Sequence, residues 1–552
     1  MLQLEYLIRG VGAVALTMLL VTSLLTTYYV IACTCVRGLV SIGLGSSELL
    51  NISGTSNSVA VVVSDKLLCA EKYLGLLYKL VGINYKFFPM RKVLMMFPRG
   101  REDESLRAFA RYVRYVMHYR YLVIVGDDID YAYIYMKDKY SDIEGALKAT
   151  DMYYSLLDFS WDPNHDGYLL EFIDLNGDGV PEAIEELKDL TPDLLVTRLP
   201  FSNCYEVRNY AYSVVNALAK GGEGFKVLLV ASILKFPNEG GSEYLVDGAS
   251  VTELVKSVIN SSVPNTEFLK LYEGSGVLKS RYRYDEPLSK DSFSNALSKG
   301  YPLIYVVSHG NGMKLARYVW VSDRNRDGRF EINELATPVY ASYDSIPKLG
   351  YPSLIYLDTC LAGATDLMGE KALATAFLIR GASGVIAATR TTYFSNYLGS
   401  GIPRLSQEIM YLFTKYLISS YPRLNPVVAF YEAIATYMRE HLSSSQYFED
   451  VKDALTYVYF GDPVATELVL NLATGYLRSY GVYLRGDELL LGIKYGNAPS
   501  VNTYLIDLRN YSVKVINGGP NELINLRYYL LIKYLEMKLL STTYLIKDPV
   551  IK

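Results

Sequence analysis

Short apolar segments alternate with longer amphipathic segments along most of the chain. Runs of β-branched and aromatic residues predict buried strands at residues 59–63, 121–125, 194–196, 227–231, 268–272, 303–307, 353–357 and 384–388. Between these runs, apolar residues recur at helical spacing, which predicts helices at 66–80, 104–118, 205–218, 251–259, 290–297, 371–379, 405–419 and 426–441. Strands and helices in alternation are typical of α/β folds with a doubly wound, mostly parallel sheet.

The two ends of the chain depart from this pattern. Residues 11–36 are uncharged and mainly apolar, and at about 1.5 Å per residue a helix of this length crosses a bilayer. We therefore predict that residues 1–37 are a transmembrane signal anchor, or else a signal peptide cleaved near Ala32. Residues 38–58, rich in Gly, Ser and Asn, are predicted to be a linker. Residues 471–552 contain short alternating segments (488–493, 502–508 and 512–515) that predict a small β-rich domain.

Composition narrows the class of protein. Half of the 552 residues are hydrophobic and 20% are charged, which is typical of a well-packed globular protein. The net charge of −4, without a basic run, gives no sign of a nucleic-acid partner. The five cysteines are too few for a disulfide framework in a chain of this length, although Cys69 and Cys204 could pair if the fold brought them together.

Residues that can carry chemistry follow two of the predicted strands. His309 comes just after strand 303–307, and Cys360 comes just after strand 353–357. Because the carboxyl ends of parallel strands meet at one edge of a sheet, these two side chains should lie close together. An imidazole beside a thiol can accept its proton, and the thiolate is the competent nucleophile. A lone cysteine after a strand is more often a buried structural residue, so it is the pairing with a histidine that favours a catalytic dyad.

Three acidic loops have the spacing of calcium-binding loops. In an EF-hand, oxygen ligands at alternate positions surround the cation, and a glycine at position 6 permits the sharp turn. Loop 323–334 fits this pattern best, loop 174–185 fits it next, and loop 162–173 lacks the acid at position 12. Such clusters also form ordinary turns. The predicted ligands are Asp323, Asn325, Asp327, Arg329 (through its carbonyl) and Glu334 in the first loop, Asp174, Asn176, Asp178, Val180 (through its carbonyl) and Glu185 in the second, and Asp162, Asn164 and Asp166 in the third.

Several short motifs occur in a characteristic order between residues 59 and 470. They are His-Gly and Asp-x-Cys after successive strands, Val-Ile-Val-Gly-Asp at 123–127, the acidic loop at 174–182, the strand-like segment 192–200, and Gly-Asp-Pro at 461–463. Together they resemble the gingipain-like cysteine peptidases, a branch of the caspase-like group that also contains caspases and legumains. The resemblance implies a caspase-like fold in two subdomains, here residues 59–222 and 223–470, followed by a β-sandwich where this chain has residues 471–552.

The resemblance also implies roles for individual residues. Cys360 would attack the peptide carbonyl and form a thioester, His309 would transfer the proton, and the backbone N–H groups of Gly310 and Cys360 would form the oxyanion hole. Gingipains place an acid where it orients the histidine, but this sequence has Ala-Ser-Ile at 231–233, with Glu239 as the nearest substitute. Glu243 resembles the pocket acid of Arg-selective members, which implies cleavage after basic residues.

We therefore predict a secreted or membrane-anchored cysteine endopeptidase that acts on protein or peptide substrates. It would be extracellular or on the cell surface, held to the membrane by its N-terminal helix and stabilised by Ca²⁺, with no nucleic-acid partner. Two alternatives stay open. One is a calcium-stabilised adhesion or assembly protein on a peptidase-like scaffold, which the missing acid would suit. The other is a surface transpeptidase, because an amine can resolve a thioester in place of water.

Overall fold

The computed structural model describes residues 56–518, except residues 171, 173–180, 190, 223, 240–242, 395–403, 443–446, 484–486 and 499–500. The predicted membrane segment 11–36 and nearly all of the linker 38–58 lie outside the described residues, as do residues 519–552. Within the described part, no helix is both long and apolar enough to cross a membrane.

A single eleven-stranded sheet forms the centre of the fold. All neighbouring strands in it are parallel except one antiparallel pair near the middle. The mostly parallel α/β sheet predicted from the sequence is thus confirmed. In chain order its strands are β1 (Ser56–Val63), β2 (Asn84–Pro89), β3 (Tyr119–Val125), β4 (Leu195–Leu199), β5 (Lys226–Ala231), β6 (Glu267–Tyr272), β7 (Glu286–Pro287), β8 (Leu303–Val307), β9 (Leu354–Asp358), β10 (Gly384–Ala388) and β11 (Tyr457–Gly461).

Strand β11 joins two blocks of parallel strands. The order across the sheet is β7-β6-β5-β8-β9-β10-β11-β4-β3-β1-β2. Strand β11 is antiparallel to β10 and parallel to β4, so the last strand in sequence lies between the two blocks. Strand β11 was not predicted from the sequence. It is a short apolar run that directly follows a helix, and periodicity alone does not distinguish such a run from the end of the helix. The predicted domain boundary at residues 222 and 223 falls between the two blocks and stays a prediction.

Helices connect the strands, and several begin at a polar residue that caps them. The side chains of Asn203, Ser289 and Asp462 accept hydrogen bonds from backbone N–H groups of the first turn. The helices are α1 (Ala70–Val81), α2 (Met90–Met96), α3 (Glu102–Tyr115), α4 (Ser141–Glu144), α5 (Glu182–Asp189), α6 (Cys204–Lys220), α7 (Ala249–Ser262), α8 (Lys290–Lys299), α9 (Thr365–Met368), α10 (Leu373–Ile379), α11 (Ser406–Ser419), α12 (Pro426–His441), α13 (Tyr447–Thr456) and α14 (Pro463–Ala473), with 3-10 turns at Asp65–Leu67, Met152–Tyr154, Ile332–Glu334 and Gly369–Lys371.

The Gly-Asp-Pro motif at 461–463 is explained by the turn from β11 into α14. Gly461 has a φ of +143°, and a Cβ atom there would lie 2.7 Å from the carbonyl oxygen of Ser383. Asp462 accepts the first two free N–H groups of α14 at 2.9 Å each. The buried Tyr78 hydroxyl also donates to Asp462. The motif is therefore accounted for by the local fold.

Smaller sheets surround the central one. A four-stranded antiparallel sheet follows α14, within the region predicted to be β-rich. The smaller sheets consist of the strands Ala132–Tyr135 with Leu147–Thr150, Ile233–Lys235 with Val246–Asp247, His309–Gly310 with Lys314–Ala316 and Val339–Ser342, Val319–Trp320 with Leu335–Ala336, and Leu477–Tyr483 with Glu488–Tyr495, Asn502–Asp507 and Ser512–Gly518.

Cys69 and Cys204 form a disulfide, with their Cα atoms 6.0 Å apart. The bond joins the residue that precedes α1 to the first residue of α6. The pairing that the sequence left open is thus present in the fold. Among the described cysteines, Cys360 alone has a free thiol.

Candidate active site

The register of two neighbouring strands brings His309 and Cys360 to the same level of the sheet. The last residue pair between β8 and β9 is Val307 with Asp358, and each candidate residue lies two positions beyond it. The loops that follow touch closely, because a Cβ atom on Gly310 would lie 2.2 Å from the hydroxyl oxygen of Thr359. Only glycine permits this approach, which explains the His-Gly sequence.

A backbone carbonyl and an aromatic ring hold the imidazole of His309. Its Nε2 atom lies 3.0 Å from the carbonyl oxygen of Leu234, and its ring stacks on Tyr318 at a centroid distance of 3.5 Å and an angle of 16°. Because a carbonyl oxygen only accepts hydrogen bonds, Nε2 carries the proton and Nδ1 is the basic nitrogen. Burial lowers the pKa of His309 to about 4, although the carbonyls of Leu234 and Ile233 favour the charged form. The imidazole is therefore neutral near pH 7.

The thiol of Cys360 is half-buried beside the segment that follows β10. Its Sγ atom lies 3.9 Å from both the carbonyl oxygen and the hydroxyl oxygen of Thr392. Burial raises the pKa of the Cys360 thiol; the contacts with Thr392 oppose the shift, while the buried carboxyl groups of Asp358 and Asp453 add to it. In the described part of the chain the thiol hydrogen-bonds to Thr392 and not to His309. The resting pair is a neutral thiol and a neutral imidazole.

Buried carboxylates fix the backbone on either side of Thr392. Glu144 accepts the N–H of Thr391 at 2.7 Å, and Asp453 accepts the N–H of Tyr393 at 3.0 Å. Glu144 pairs with Lys148 and Lys452, each at 2.6 Å, and Asp138 also pairs with both lysines, so two acids balance two bases. These four ionic side chains are buried, so each needs the others to remain inside the fold. The wall of the site beside the thiol is therefore held rigidly.

No acid of the described residues contacts the candidate catalytic histidine. Glu239, the nearest substitute for an orienting acid in the sequence, accepts the N–H of Phe236 at 2.9 Å and so closes a local turn. Glu243 is exposed, and residues 240–242 before it lie outside the described residues. Among the described residues, no carboxylate hydrogen-bonds to His309, whose ring partner is the Leu234 carbonyl.

Loop 323–334 fits a calcium ion in part. Asp323 accepts the N–H of Gly328 at 2.9 Å through Oδ2, and Gly328 has a φ of +72°. The other oxygen of Asp323, Oδ1, is buried and has no hydrogen-bond partner in the described chain, as a cation ligand would be without its ion. Glu334 is used differently, because its carboxylate accepts from the Trp320 indole at 2.8 Å and from the N–H of Arg324 at 2.6 Å.

The remaining predicted ligands provide less support for a metal site. Asn325 and Asp327 accept backbone N–H groups within their own turn, including that of Arg329. Loop 162–173 shows the same kind of turn bonding, since Asp162 accepts from Asp166 and Gly167. Among the described residues, the set of three metal-ligating side chains whose ligand atoms lie within 4.8 Å of one another comes from outside these loops, namely Glu408, Glu440 and His441. Asp174, Asn176, Asp178, Val180 and the side chain of Glu185 lie outside what the structure describes.

The comparisons with known proteins agree with this fold. No curated protein matches the chain. The sequence pattern of peptidase family C25 matches residues 53–467, about three quarters of the chain. The chain belongs to peptidase family C25. This membership confirms the gingipain-like resemblance and makes the chain a cysteine-type peptidase.

Two solved structures are similar to this C25 peptidase in fold. One is the crystal structure of the Arg-specific cysteine proteinase gingipain R (RgpB), with a TM-score of 0.50 and 12% identity, covering 84% of this chain and 92% of that one. The other is the complex of the pro- and mature domains of RgpB from Porphyromonas gingivalis, with a TM-score of 0.50 and 11% identity, covering 84% of this chain and 100% of that one.

Three groups near the candidate dyad were not assigned from the sequence of this C25 peptidase. They are the Leu234 carbonyl, the Tyr318 ring and Thr392. A backbone carbonyl carries no signature in the sequence, because every residue has one. Thr392 had a detectable signal, since it follows the predicted strand 384–388, at the same edge of the sheet as the dyad.

Proposed function

We propose that this C25 peptidase cleaves peptide bonds with Cys360 as the nucleophile and His309 as the general base. The observation that carries the proposal is the matched position of the two residues, each two residues beyond the last pair of β8 and β9. The free thiol and the neutral imidazole are the two chemical groups that acyl transfer requires.

The proposed reaction starts from the neutral pair. As the Cys360 sulfur forms its bond to the substrate carbonyl carbon, the thiol proton moves to Nδ1 of His309. The imidazolium then gives this proton to the leaving amine as the C–N bond breaks, and water hydrolyses the thioester. The N–H groups of Gly310 and Cys360 are the proposed oxyanion donors. The next N–H along the chain, that of Leu361, is already used by the carbonyl of Arg390 at 3.2 Å.

A peptidyl epoxide probe with a fluorescent label separates catalysis from a non-catalytic scaffold. We expect one label per chain, attached to Cys360, because only an activated thiol opens the epoxide at a useful rate. A chain that stays unlabelled under conditions that label papain would favour the adhesion or assembly alternative. Product masses measured with and without an added amine distinguish hydrolysis from transpeptidation.

We propose that the Leu234 carbonyl and the Tyr318 ring position His309 in place of an acid. A carbonyl dipole fixes the tautomer and the ring plane but stabilises an imidazolium less than a carboxylate would. This difference is consistent with the lowered pKa of His309, which burial brings to about 4.

The acid limb of the pH profile should therefore lie far below the usual range for histidine. The base works only when it is unprotonated, and burial lowers its pKa to about 4, so kcat/KM should hold from neutral pH to about pH 5 and then fall. Between about pH 6.5 and pH 4 the unfolded chain binds a proton that the folded chain does not, so stability also declines as the pH falls through this window. Circular dichroism at each pH separates the two losses. An acid limb near pH 6.5 in protein that is still folded would contradict the assignment.

Substrate preference and location are further proposals. We propose cleavage after basic residues, which the Arg-specific relative supports and for which the exposed Glu243 is the proposed pocket acid. We also propose an extracellular or cell-surface location, reached through the N-terminal segment. The disulfide between Cys69 and Cys204 supports this location, because such bonds persist in oxidising compartments.

We propose that loop 323–334 binds a structural Ca²⁺ and thereby supports the site. Phe330 of this loop stacks on Phe236 at a centroid distance of 4.8 Å. Both belong to a small buried cluster with Ile233 and Trp320. The hairpin that carries Phe236 also carries the carbonyl that holds His309, at Leu234. Order in the loop would therefore help to place the imidazole, without the ion taking part in the reaction.

Removal of calcium should lower the melting temperature by several degrees. At a free calcium concentration of one hundred times Kd, binding stabilises the folded state by about 2.7 kcal/mol. The double variant Asp323→Ala with Asp327→Ala should melt, in calcium, where the chelated wild type melts. The control pair Asp142→Ala with Glu370→Ala removes the same charge from exposed positions and should keep its response to chelator. A wild type whose melting is unchanged by chelator, after elemental analysis has shown bound calcium and then its removal, would overturn the proposal.

A further inference from the structure

A cavity lies away from the candidate dyad, beside the opposite end of strand β9. It has a volume of about 830 Å³ and is lined in part by residues 348–352 and 379–381, which precede β9 and β10. Cys360 follows β9, so the cavity is at the other end of a strand of five residues, or roughly 16 Å away. The remaining walls come from α6, from Tyr73 of α1, and from the four-stranded sheet and its connections at Tyr483, Asp487, Leu508, Arg509 and Tyr511. Its size is typical of a small-ligand site.

One face of α6 supplies most of the side chains on one wall of the cavity. The α6 residues that line the cavity recur every three or four positions, which is the spacing that places side chains on one side of a helix. Tyr205 and Tyr212 are 63% and 38% exposed, and Tyr483 opposite them is 44% exposed, so a ligand can reach these side chains. The guanidinium of Arg208 lies 5.1 Å from the centre of the Tyr205 ring, so a cation and an aromatic ring stand together on this wall. The residues of α6 that line the cavity include Tyr205, Arg208, Asn209, Tyr212, Asn216 and Lys220.

The cavity is strongly cationic although the chain is net acidic. Five lining side chains are basic and one, Asp487, is acidic, in a chain of net charge −4. Only Arg509 of these five forms an ion pair within the described part of the chain, with Asp507 at 3.2 Å. The other four are exposed, so their charges are open to an anion that enters the cavity. They are Arg208, Lys220, Lys348 and Arg380.

We propose that this cavity, which we call the tyrosine cleft, binds an acidic oligosaccharide. Exposed tyrosine faces stack on sugar rings, and the amides of Asn209 and Asn216 can hydrogen-bond to sugar hydroxyls. The four cations that form no ion pair among the described residues match carboxylate or sulfate groups carried on the sugars. A glycan can use the tyrosine rings, the amides and the cations of the cleft together, because its rings carry both hydroxyl and acidic groups. The tyrosine cleft would hold the peptidase on an acidic glycan while the dyad stays open to substrate.

Calorimetric titration of the full chain with a heparin-derived tetrasaccharide tests the proposal. We expect saturable binding that weakens at least tenfold in the double variant Arg208→Gln with Arg380→Gln. The control Arg99→Gln with Arg283→Gln removes the same charge from exposed arginines outside the cleft and should bind like the wild type. The cleft variant should also keep the wild-type melting temperature and peptide cleavage, because it leaves the dyad intact. Tyr212→Ala should weaken binding as well, through lost stacking.

Four other outcomes would contradict the proposal that the tyrosine cleft binds an acidic oligosaccharide. Absence of binding by the wild type, or an equal loss in both double variants, would mean that no specific site exists there. Equal affinity for maltotetraose, which is neutral, would remove the role of charge. Tighter binding of a thymidine tetranucleotide than of the tetrasaccharide would identify the ligand class as nucleic acid and overturn the proposal.

Discussion

Replacement of Cys360 by alanine should abolish peptide cleavage and leave the fold intact. Cys360 is the free thiol among the described cysteines, and it lies beside the His-Gly loop at the carboxyl edge of the central sheet. Loss of a nucleophile that forms a covalent intermediate lowers kcat on the order of 10⁴- to 10⁶-fold. Initial rates on a fluorogenic peptide measure the effect, with the limit set by spontaneous hydrolysis.

Two further measurements test whether the loss of activity in Cys360→Ala comes from the missing thiol and not from a disturbed fold. The thiol is half-buried and its hydrogen-bonding contacts are the two long ones to Thr392, so Cys360→Ala should melt within a few degrees of the wild type. Cys360→Ser keeps a hydroxyl of similar size at this position and should be nearly as inactive, because a serine hydroxyl beside a weak base is a poor nucleophile. Activity comparable to the wild type in either variant would mean that another residue carries the reaction.

His309→Gln should lower kcat/KM by about 10²- to 10⁴-fold, the usual contribution of a general base. Glutamine can still donate a hydrogen bond to the Leu234 carbonyl, because its amide reaches the place where Nε2 now lies 3.0 Å from that oxygen. It cannot accept a proton from the thiol. The variant therefore separates the loss of the base from the loss of the local structure, and kcat should change more than KM.

His165→Asn, which also replaces a histidine by an amide, is the control for this variant. His165 is exposed and has a φ of +60°, which asparagine tolerates well, so this control should retain full activity. Rates in His309→Gln that rise steadily with pH toward the pKa of the thiol would support the assignment, because hydroxide would then replace the missing base. An unchanged pH profile with an unchanged rate would contradict it.

The location of the candidate dyad could be predicted from the sequence because it depends on strands that are locally encoded. Strands β8 and β9 are continuous apolar runs, all of whose residues are buried, and the polar residues after them must emerge at the edge of the sheet. The identity of the two strands and their parallel direction are enough to predict that His309 and Cys360 lie close together. The rest of the chain is not needed for this prediction.

The partners of the dyad could not be predicted in this way. The sequence suggested that an acid was missing, but it did not show that the imidazole contacts the carbonyl of Leu234, which lies 75 positions from His309 along the chain. In the same way, Glu334 fits a calcium ligand by spacing, yet in the fold its carboxylate accepts from Trp320 and Arg324. Spacing along a loop shows which side chains are close in sequence. It does not determine which groups those side chains contact in the folded protein.

By itself the sequence determined the α/β class, the family, and the strand ends on which the candidate dyad lies, because all of these follow from local apolar patterns and short motifs. Only the tertiary structure decided that β11 joins the two blocks of the sheet, that Cys69 pairs with Cys204, and that a carbonyl holds the histidine. These features depend on contacts between residues that are far apart in the chain. Such contacts are chosen by the packing of the whole domain, since no local preference distinguishes one distant partner from another.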